Sequence, residues 1–336
     1  MRALSLGLIL TLMCISIHAQ TPTKAGADAE RNAVQPSSGV VHPQGAYATV
    51  NGVKIWYESE GSGEPLILIA GGPGFSHSYF HPYFSELANS YRVIYLDSFG
   101  RGKSDRAKNA SEYTFTRDVE DLDGFRKGLG LGKINVLGHS YGGMVALAYA
   151  LRFPESTSKL ILVDAFFSAE MWQVNNDNWN SQIRNQFPEV WEKLTLLRDR
   201  GVHSCNREYQ DVTYEVPLGL FYFYDASAAD KLTRSIEPQS LDVYCSIAGD
   251  DADFLIGGDI AKLDFRPQLK SLRAPTLILT GRFDRLAMPR FSLHFKRYAP
   301  QAKFVMFEQS GHLPFIEEPT RMFQILRDFL QNPSRP

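Results

Sequence analysis

Residues 134–143 read Ile134-Asn135-Val136-Leu137-Gly138-His139-Ser140-Tyr141-Gly142-Gly143, and this stretch decides the fold. Its first four residues lack polar–apolar alternation, as in a strand covered on both faces. G-x-S-x-G then turns the chain sharply into a helical stretch over 143–151. Strand, glycine-framed serine and helix, in that order, are the context of a nucleophile elbow, where strained backbone presents a serine hydroxyl. Side chains at 138 and 142 would collide with neighbouring chain, so both positions need glycine.

Residues 65–70, 93–96, 160–163, 276–279 and 304–307 are runs of the same kind. Helical stretches at 80–89, 116–128, 291–298 and 320–330 separate most of them. Strands alternating with helices predict an α/β fold, a mostly parallel sheet with helices on both faces. Ala48-Thr49-Val50 and Val53 to Tyr57 flank Asn51-Gly52, a strong hairpin signal at the start of the core. Between 166 and 271 the strand rhythm stops, and helical runs rich in aromatic residues take over. That segment reads as an inserted, mainly helical cap. It divides the core into residues 46–165 and 272–332. No internal repeat is present.

Residues 1–19 have the form of a secretory signal: Arg2, an apolar run over 4–17, and Ala19 ahead of Gln20. The run is too short to span a bilayer, which needs about 20 apolar residues. An uncleaved interfacial anchor is the alternative. A lipoprotein site at Cys14 is disfavoured by bulky Met13. Residues 20–45, rich in Ala, Pro, Ser, Gly and Gln, are expected to be a disordered linker. The chain is therefore expected to be secreted or periplasmic. Cleavage after Ala19 removes Cys14 and leaves Cys205 and Cys245, which an oxidising compartment allows to pair; their spacing does not decide whether they do.

The 336 residues carry 35 basic and 37 acidic side chains, a net charge of −2, which gives no electrostatic case for a nucleic-acid partner. Three cysteines are too few for a disulfide scaffold or a cysteine-rich zinc module. No zinc spacing is visible and no metal is expected. Gly100-Arg101-Gly102-Lys103-Ser104 imitates a phosphate-binding loop, but Asp97 stands where the first glycine belongs.

A serine hydroxyl becomes a useful nucleophile only beside a base that a carboxylate orients. Asp284 follows the run at 276–279 and His312 follows the run at 304–307, so both sit in loops after strands. Ser140, Asp284 and His312 occur in the serine–acid–histidine order of a strand-end triad. Asp164, also at a strand end, is the competing acid. His77, His81, His203 and His294 are competing histidines, while His139 is tied to the elbow. The developing oxyanion needs two donors. The Tyr141 amide is one; Gly72, in Gly71-Gly72-Pro73-Gly74, is the other, since Pro73 has no N–H.

These residues, with Gly71 to Tyr79, Asp97 to Asp105 and Gly311 to Pro319, resemble the proline iminopeptidase branch of the α/β-hydrolases. Ala248-Gly249-Asp250-Asp251-Ala252-Asp253-Phe254 is similar to a cap segment of that branch. The resemblance runs from about Tyr47 to Leu330. It implies a serine peptidase without metal or cofactor that removes an N-terminal residue, often proline, from short peptides. It also implies substrate contacts from Tyr79, Tyr141, Asp253 and Phe254, with Asp253 facing the substrate's ammonium. Three positions depart from the pattern. Ala70 replaces a histidine, Arg285 follows the acid where some members carry an acidic residue, and Asp253 stands where a longer glutamate is common. Arg285 near Asp253 would weaken an ammonium site, so the alternative is a carboxylic ester or lactone hydrolase on the same triad.

Overall fold

The computed structural model describes residues 42–233 and 236–331. The expected signal segment and the linker up to residue 41 lie outside them. The expected linker runs to residue 45, yet Gly45 already opens a strand and His42 is held 3.0 Å from Glu58.

Eight strands form one sheet in the order β1 (Gly45–Val50), β2 (Val53–Glu60), β4 (Tyr91–Leu96), β3 (Glu64–Ile69), β5 (Ile134–His139), β6 (Thr157–Val163), β7 (Thr276–Gly281) and β8 (Lys303–Phe307). β1 and β2 pair antiparallel, as do β2 and β4; every later pair is parallel. Apolar residues on both faces of the parallel strands explain the missing alternation. Ile67, Ile69, Val136, Leu160, Leu162 and Ile278 join one core cluster, while Leu66, Leu68, Leu137, Ile161, Val163 and Leu277 join the other. The register Ile69↔Gly138, His139↔Val163, Val163↔Leu279 and Gly281↔Phe307 brings the carboxyl ends of β3, β5, β6, β7 and β8 to one edge.

Helix α1 (Phe115–Gly128) starts where the Thr114 side chain accepts from the Arg117 amide, satisfying one orphan donor of its first turn. Together with α2 (Tyr141–Arg152) it covers the first face. The helix expected over 80–89 is instead two 3₁₀ turns, His77–Phe80 and Tyr83–Leu87. Pro82 lies between them; it has no N–H and disfavours helical backbone before it.

The chain then leaves the sheet through α3 (Ala169–Gln186), α4 (Pro188–Asp199), α5 (Arg207–Thr213), α6 (Leu218–Tyr222), α7 (Ala229–Thr233) and α8 (Leu241–Ala248). Its neck is stitched by a Ser168–Asp264 bridge, Ala169 N to Leu263 O at 2.8 Å and Phe265 N to Phe167 O at 3.0 Å. Ile183, Val190, Leu194, Tyr209 and Phe221 give the excursion a cluster of its own. Cys205 and Cys245 are disulfide-bonded, with Cα atoms 5.8 Å apart, which answers the pairing question the spacing left open. After β7 come α9 (Pro289–Tyr298) on the first face, then α10 (Pro314–Glu317) and α11 (Pro319–Gln331) on the second. No helix among the described residues is long and apolar enough to cross a membrane.

Candidate active site

Ser140 joins β5 to α2 at φ 54°, ψ −122°, a conformation a non-glycine residue rarely holds and one that costs about 1–3 kcal/mol. Its neighbours permit the turn. A Cβ on Gly138 would lie 2.1 Å from the Gly142 carbonyl oxygen, and one on Gly142 would lie 2.3 Å from that of Ile69. Both distances are far inside van der Waals contact, so the elbow closes only with glycine at each position.

Asp284, in the loop after β7, accepts from the Leu286 and Ala287 amides at 2.8 Å each through Oδ1. Its Oδ2 lies 2.8 Å from His312 Nδ1. Burial alone would raise the Asp284 carboxyl, but His312 and the two amides hold it below the usual range. Asp164 follows β6 with φ 46° and is fully buried. Its Oδ1 accepts from the Gly281 amide at 2.8 Å. Burial, and then the charge of Asp284, push its carboxyl well above the ordinary range. His312 thus sits on Asp284, and the competing acid has no bond to the imidazole. The imidazole's other nitrogen, Nε2, is left without a bond to either acid.

His139 buttresses this arrangement. Its ring lies 4.6 Å from that of His312. Burial and the nearby His312 lower its pKa to about 3, so it is neutral at physiological pH. Its Nε2–H then donates to the His312 carbonyl at 2.9 Å, and its Nδ1 accepts from the Tyr79 hydroxyl at 2.8 Å. The Tyr79 oxygen in turn accepts from the Gly71 amide at 2.6 Å. Tyr79, expected to touch substrate, is instead 3 % exposed with its hydroxyl engaged on both sides. It is a strut between the loop after β3 and the elbow. Because Gly71 spends its amide on this strut, Gly72 (φ 42°) remains the donor available from the loop. The loop abuts the nucleophile: a Cβ on Gly71 would lie 2.9 Å from Ser140 Cβ.

A second strut carried no role in the sequence reading. Buried Arg101 donates to the Pro73 carbonyl at 2.5 Å and grips Asp118 with two bonds of 2.6 and 2.7 Å. The Tyr141 hydroxyl donates to the same Asp118 at 2.7 Å. One desolvated ion pair thus fixes both expected oxyanion donors, Gly72 through its neighbour Pro73 and Tyr141 through its own side chain. Arg101 stands in a quoted motif, but Asp118 looks like any acidic residue in a helix's first turn, and nothing in the sequence joins them.

In the cap, Asp253 Oδ1 accepts from the Tyr244 hydroxyl at 2.7 Å. Burial raises its carboxyl above the usual range. Its charge is felt by Tyr209, Tyr214, Tyr222 and Tyr244. Tyr222 lies 5.8 Å from the His312 ring, and its carbonyl accepts from the His312 amide at 2.7 Å, so Tyr222 links this group of tyrosines to the base. Phe254 borders the same group, its ring 6.5 Å from that of Tyr209. Its ring packs 5.6 Å from Trp191, under the Arg198 guanidinium at 3.5 Å. Arg285 donates to the Leu220 carbonyl in α6, tying the acid loop to the cap. Arg198 is bonded to Asp251. Among the described residues one group of metal-ligating side chains gathers, His42, Glu58, His77 and His81, and it includes none of the triad.

The sequence profile of the alpha/beta hydrolase fold matches residues 64–319. A proline iminopeptidase of Heyndrickxia coagulans is 30% identical over 283 residues, 82% of this chain and 93% of that one. The proline iminopeptidase of Mycobacterium smegmatis superposes with a TM-score of 0.70 at 22% identity, over 85% of this chain and 97% of that one. A thermophilic esterase from Thermogutta terrifontis superposes with a TM-score of 0.60 at 25% identity, over 86% and 98%.

Proposed function

The chain belongs to the α/β-hydrolase family and is a serine hydrolase; from that premise we propose that it is a secreted, proline iminopeptidase-like aminopeptidase acting on short peptides. Ser140 Oγ attacks the carbonyl carbon of the N-terminal residue while His312 Nε2 takes its proton. The carbonyl electrons move onto oxygen, which the amides of Gly72 and Tyr141 receive. Collapse of the tetrahedral species breaks the C–N bond. The departing amine takes the proton from His312 and leaves an acyl-enzyme. Water, deprotonated by His312, then releases the amino acid and restores Ser140. Asp284 keeps His312 in the Nδ1–H tautomer throughout.

Asp253 carries the peptidase reading. It is a desolvated carboxyl bonded to the Tyr244 hydroxyl and close enough to Tyr222, which packs on His312, to affect it, and Arg285, the feared competitor, is bonded to a backbone carbonyl instead. A substrate ammonium would hold this carboxylate in a charge-assisted hydrogen bond. The relatives named proline iminopeptidase support the same reading, and the Cys205–Cys245 disulfide supports export to an oxidising compartment. The test compares prolyl and other aminoacyl anilides with p-nitrophenyl esters and lactones, in the parent and in Asp253→Asn. Losing one charged contact worth about 1.5–3 kcal/mol should cut kcat/KM on aminoacyl substrates roughly 10- to 150-fold, with esters unchanged within about twofold.

The second reading is an ester or lactone hydrolase. The raised Asp253 carboxyl favours it, because burial disfavours the carboxylate that an ammonium would need and suits an uncharged acyl group. Esters outpacing every aminoacyl anilide, with a ratio indifferent to Asp253→Asn, would establish that reading in place of the first.

A further inference from the structure

We propose that His42, Glu58, His77 and His81 form a structural site for a divalent transition metal, zinc before others, that clips the segment ahead of β1 to the loop bearing the oxyanion glycines. The four side chains come from three places: the residues before β1, the β2 strand, and the 3₁₀ turn and its cap after β3. His42 Nδ1, His77 Nε2 and His81 Nε2 lie 3.0, 3.3 and 3.2 Å from one oxygen, Glu58 Oε2. All four ligand atoms lie within 4.8 Å of one another.

Hydrogen bonding alone satisfies this group poorly. A carboxylate oxygen has two lone pairs, yet three imidazoles converge on this one. Both ring nitrogens of His81 and Nε2 of His77 are buried without a hydrogen-bond partner among the described residues. The Glu58, His77 and His81 side chains are only 2 %, 4 % and 0 % exposed, where an unmatched polar atom is costly. A zinc ion bound by ligands at about 2.0–2.1 Å would separate tetrahedral donors by roughly 3.3 Å. The three N···O separations already match that edge, and only the nitrogen–nitrogen edges need to close.

The outer groups fit as well. Asp97 Oδ1 is 2.7 Å from His77 Nδ1, so it can take that N–H and leave the Nε2 lone pair facing the centre, the usual carboxylate support of a metal-bound histidine. His42, with 35 % of its side chain exposed, provides an entry path. Lys103 Nζ approaches Glu58 Oε1, the other oxygen, at 3.7 Å and is 54 % exposed, so it is free to swing into solvent. Three imidazoles and a carboxylate make a closed four-ligand set, which marks a structural rather than a catalytic zinc site. Cys205 and Cys245 are committed to their disulfide and do not compete. The site bears on the chemistry through Tyr79, which stands between His77 and His81 and joins Gly71 to His139. Sequence spacing hid the site, because its ligands are scattered over residues 42–81.

The experiment uses untagged full-length protein stripped with a chelator. It is titrated with Zn²⁺ by calorimetry and with Co²⁺ by visible absorption, and its unfolding is followed with and without Zn²⁺. The expected results are one Zn²⁺ per chain, a tetrahedral Co²⁺ spectrum and a Tm raised by at least about 2 °C. Glu58→Gln and His42→Ala should each weaken binding at least about tenfold. His42 is part-exposed, so its variant stays folded and its loss of binding cannot be ascribed to unfolding. His203→Ala should bind as the parent does. Absence of stoichiometric uptake, or uptake indifferent to both His42→Ala and Glu58→Gln, would overturn the site and leave a metal-free ion cluster. Neither outcome depends on the peptidase reading, since no step of the test measures turnover.

Discussion

Ser140 combines backbone strain with an assigned chemical role, so substitutions there separate catalysis from folding. Ser140→Ala should lower turnover by several orders of magnitude while leaving Tm and the circular dichroism spectrum as in the parent. Activity within tenfold would mean the nucleophile is elsewhere. The two acids behind His312 differ in state, and their amides should differ in effect. Asp284→Asn reverses the hydrogen bond that sets the His312 tautomer and should cost roughly 10³–10⁴ in kcat. Asp164→Asn changes a carboxyl whose burial disfavours its charged form and which has no bond to His312, and should stay within about tenfold; the reverse ranking would transfer the orienting role to Asp164. His139 gives a pH prediction. Its folded pKa, about 3, lies below the ordinary histidine value of 6.5. Between those values the unfolded chain binds the proton and the folded chain does not, so stability rises with pH across that window. Its contribution is complete above about 6.5 and is lost progressively as pH falls toward 3. At about 1.4 kcal/mol per pKa unit the loss reaches several kcal/mol. Denaturant midpoints measured from pH 7 to 4 should fall for the parent, and less steeply for His139→Gln.

Between elements, the Arg101–Asp118 pair joins the loop after β3 to the first turns of α1 and α2. Arg101→Lys keeps the charge but loses the fork that reaches Pro73 and both Asp118 oxygens together. If the pair positions the oxyanion donors, kcat should drop at least about tenfold with little change in KM, since a complete donor is worth 10²–10³. Equal damage to KM and kcat, together with a collapsed Tm, would make the pair merely structural. This pair also shows where reading the sequence stopped. Strands announced themselves, because burial on both faces leaves an apolar run. The elbow and the order Ser140, Asp284, His312 were legible because each side chain stands in the turn or loop that follows a strand. Boundaries set by one residue were also open to reading, and Pro82 shows one missed. Arg101 with Asp118, and Tyr79 with His139, join positions 17 and 60 residues apart. Only the folded chain brings such pairs together, so the part of Tyr79 as a strut is not legible in spacing.

For the molecule as a whole, the chain's three cysteines make its processing countable. Cys205 and Cys245 are joined, and Cys14 lies within the expected signal segment. Denatured, unreduced protein from the native host should therefore show no free thiol if Ala19 is the cleavage site, and one if the segment is retained. Chain kept in a reducing cytosol should show two or three. Intact mass should agree, with a mature N-terminus near Gln20. The bond's energetic role is a separate measurement on the same sample. It closes a loop of sequence separation 40, for which the chain-entropy account gives about 4 kcal/mol. It also fastens the start of α5 to α8, close to Asp253, whose amide donates to Ser204 at 3.0 Å. Reduction should therefore lower the unfolding temperature by something on the order of 10 °C, and it should slow aminoacyl substrates before neutral esters as the packing around Asp253 loosens. A Cys205→Ser, Cys245→Ser double variant should reproduce both effects and be insensitive to reductant. If reductant leaves the Tm of the parent unchanged while free thiols rise from zero to two, the disulfide holds nothing that the cap's own packing does not, and the chain-entropy argument fails for this protein.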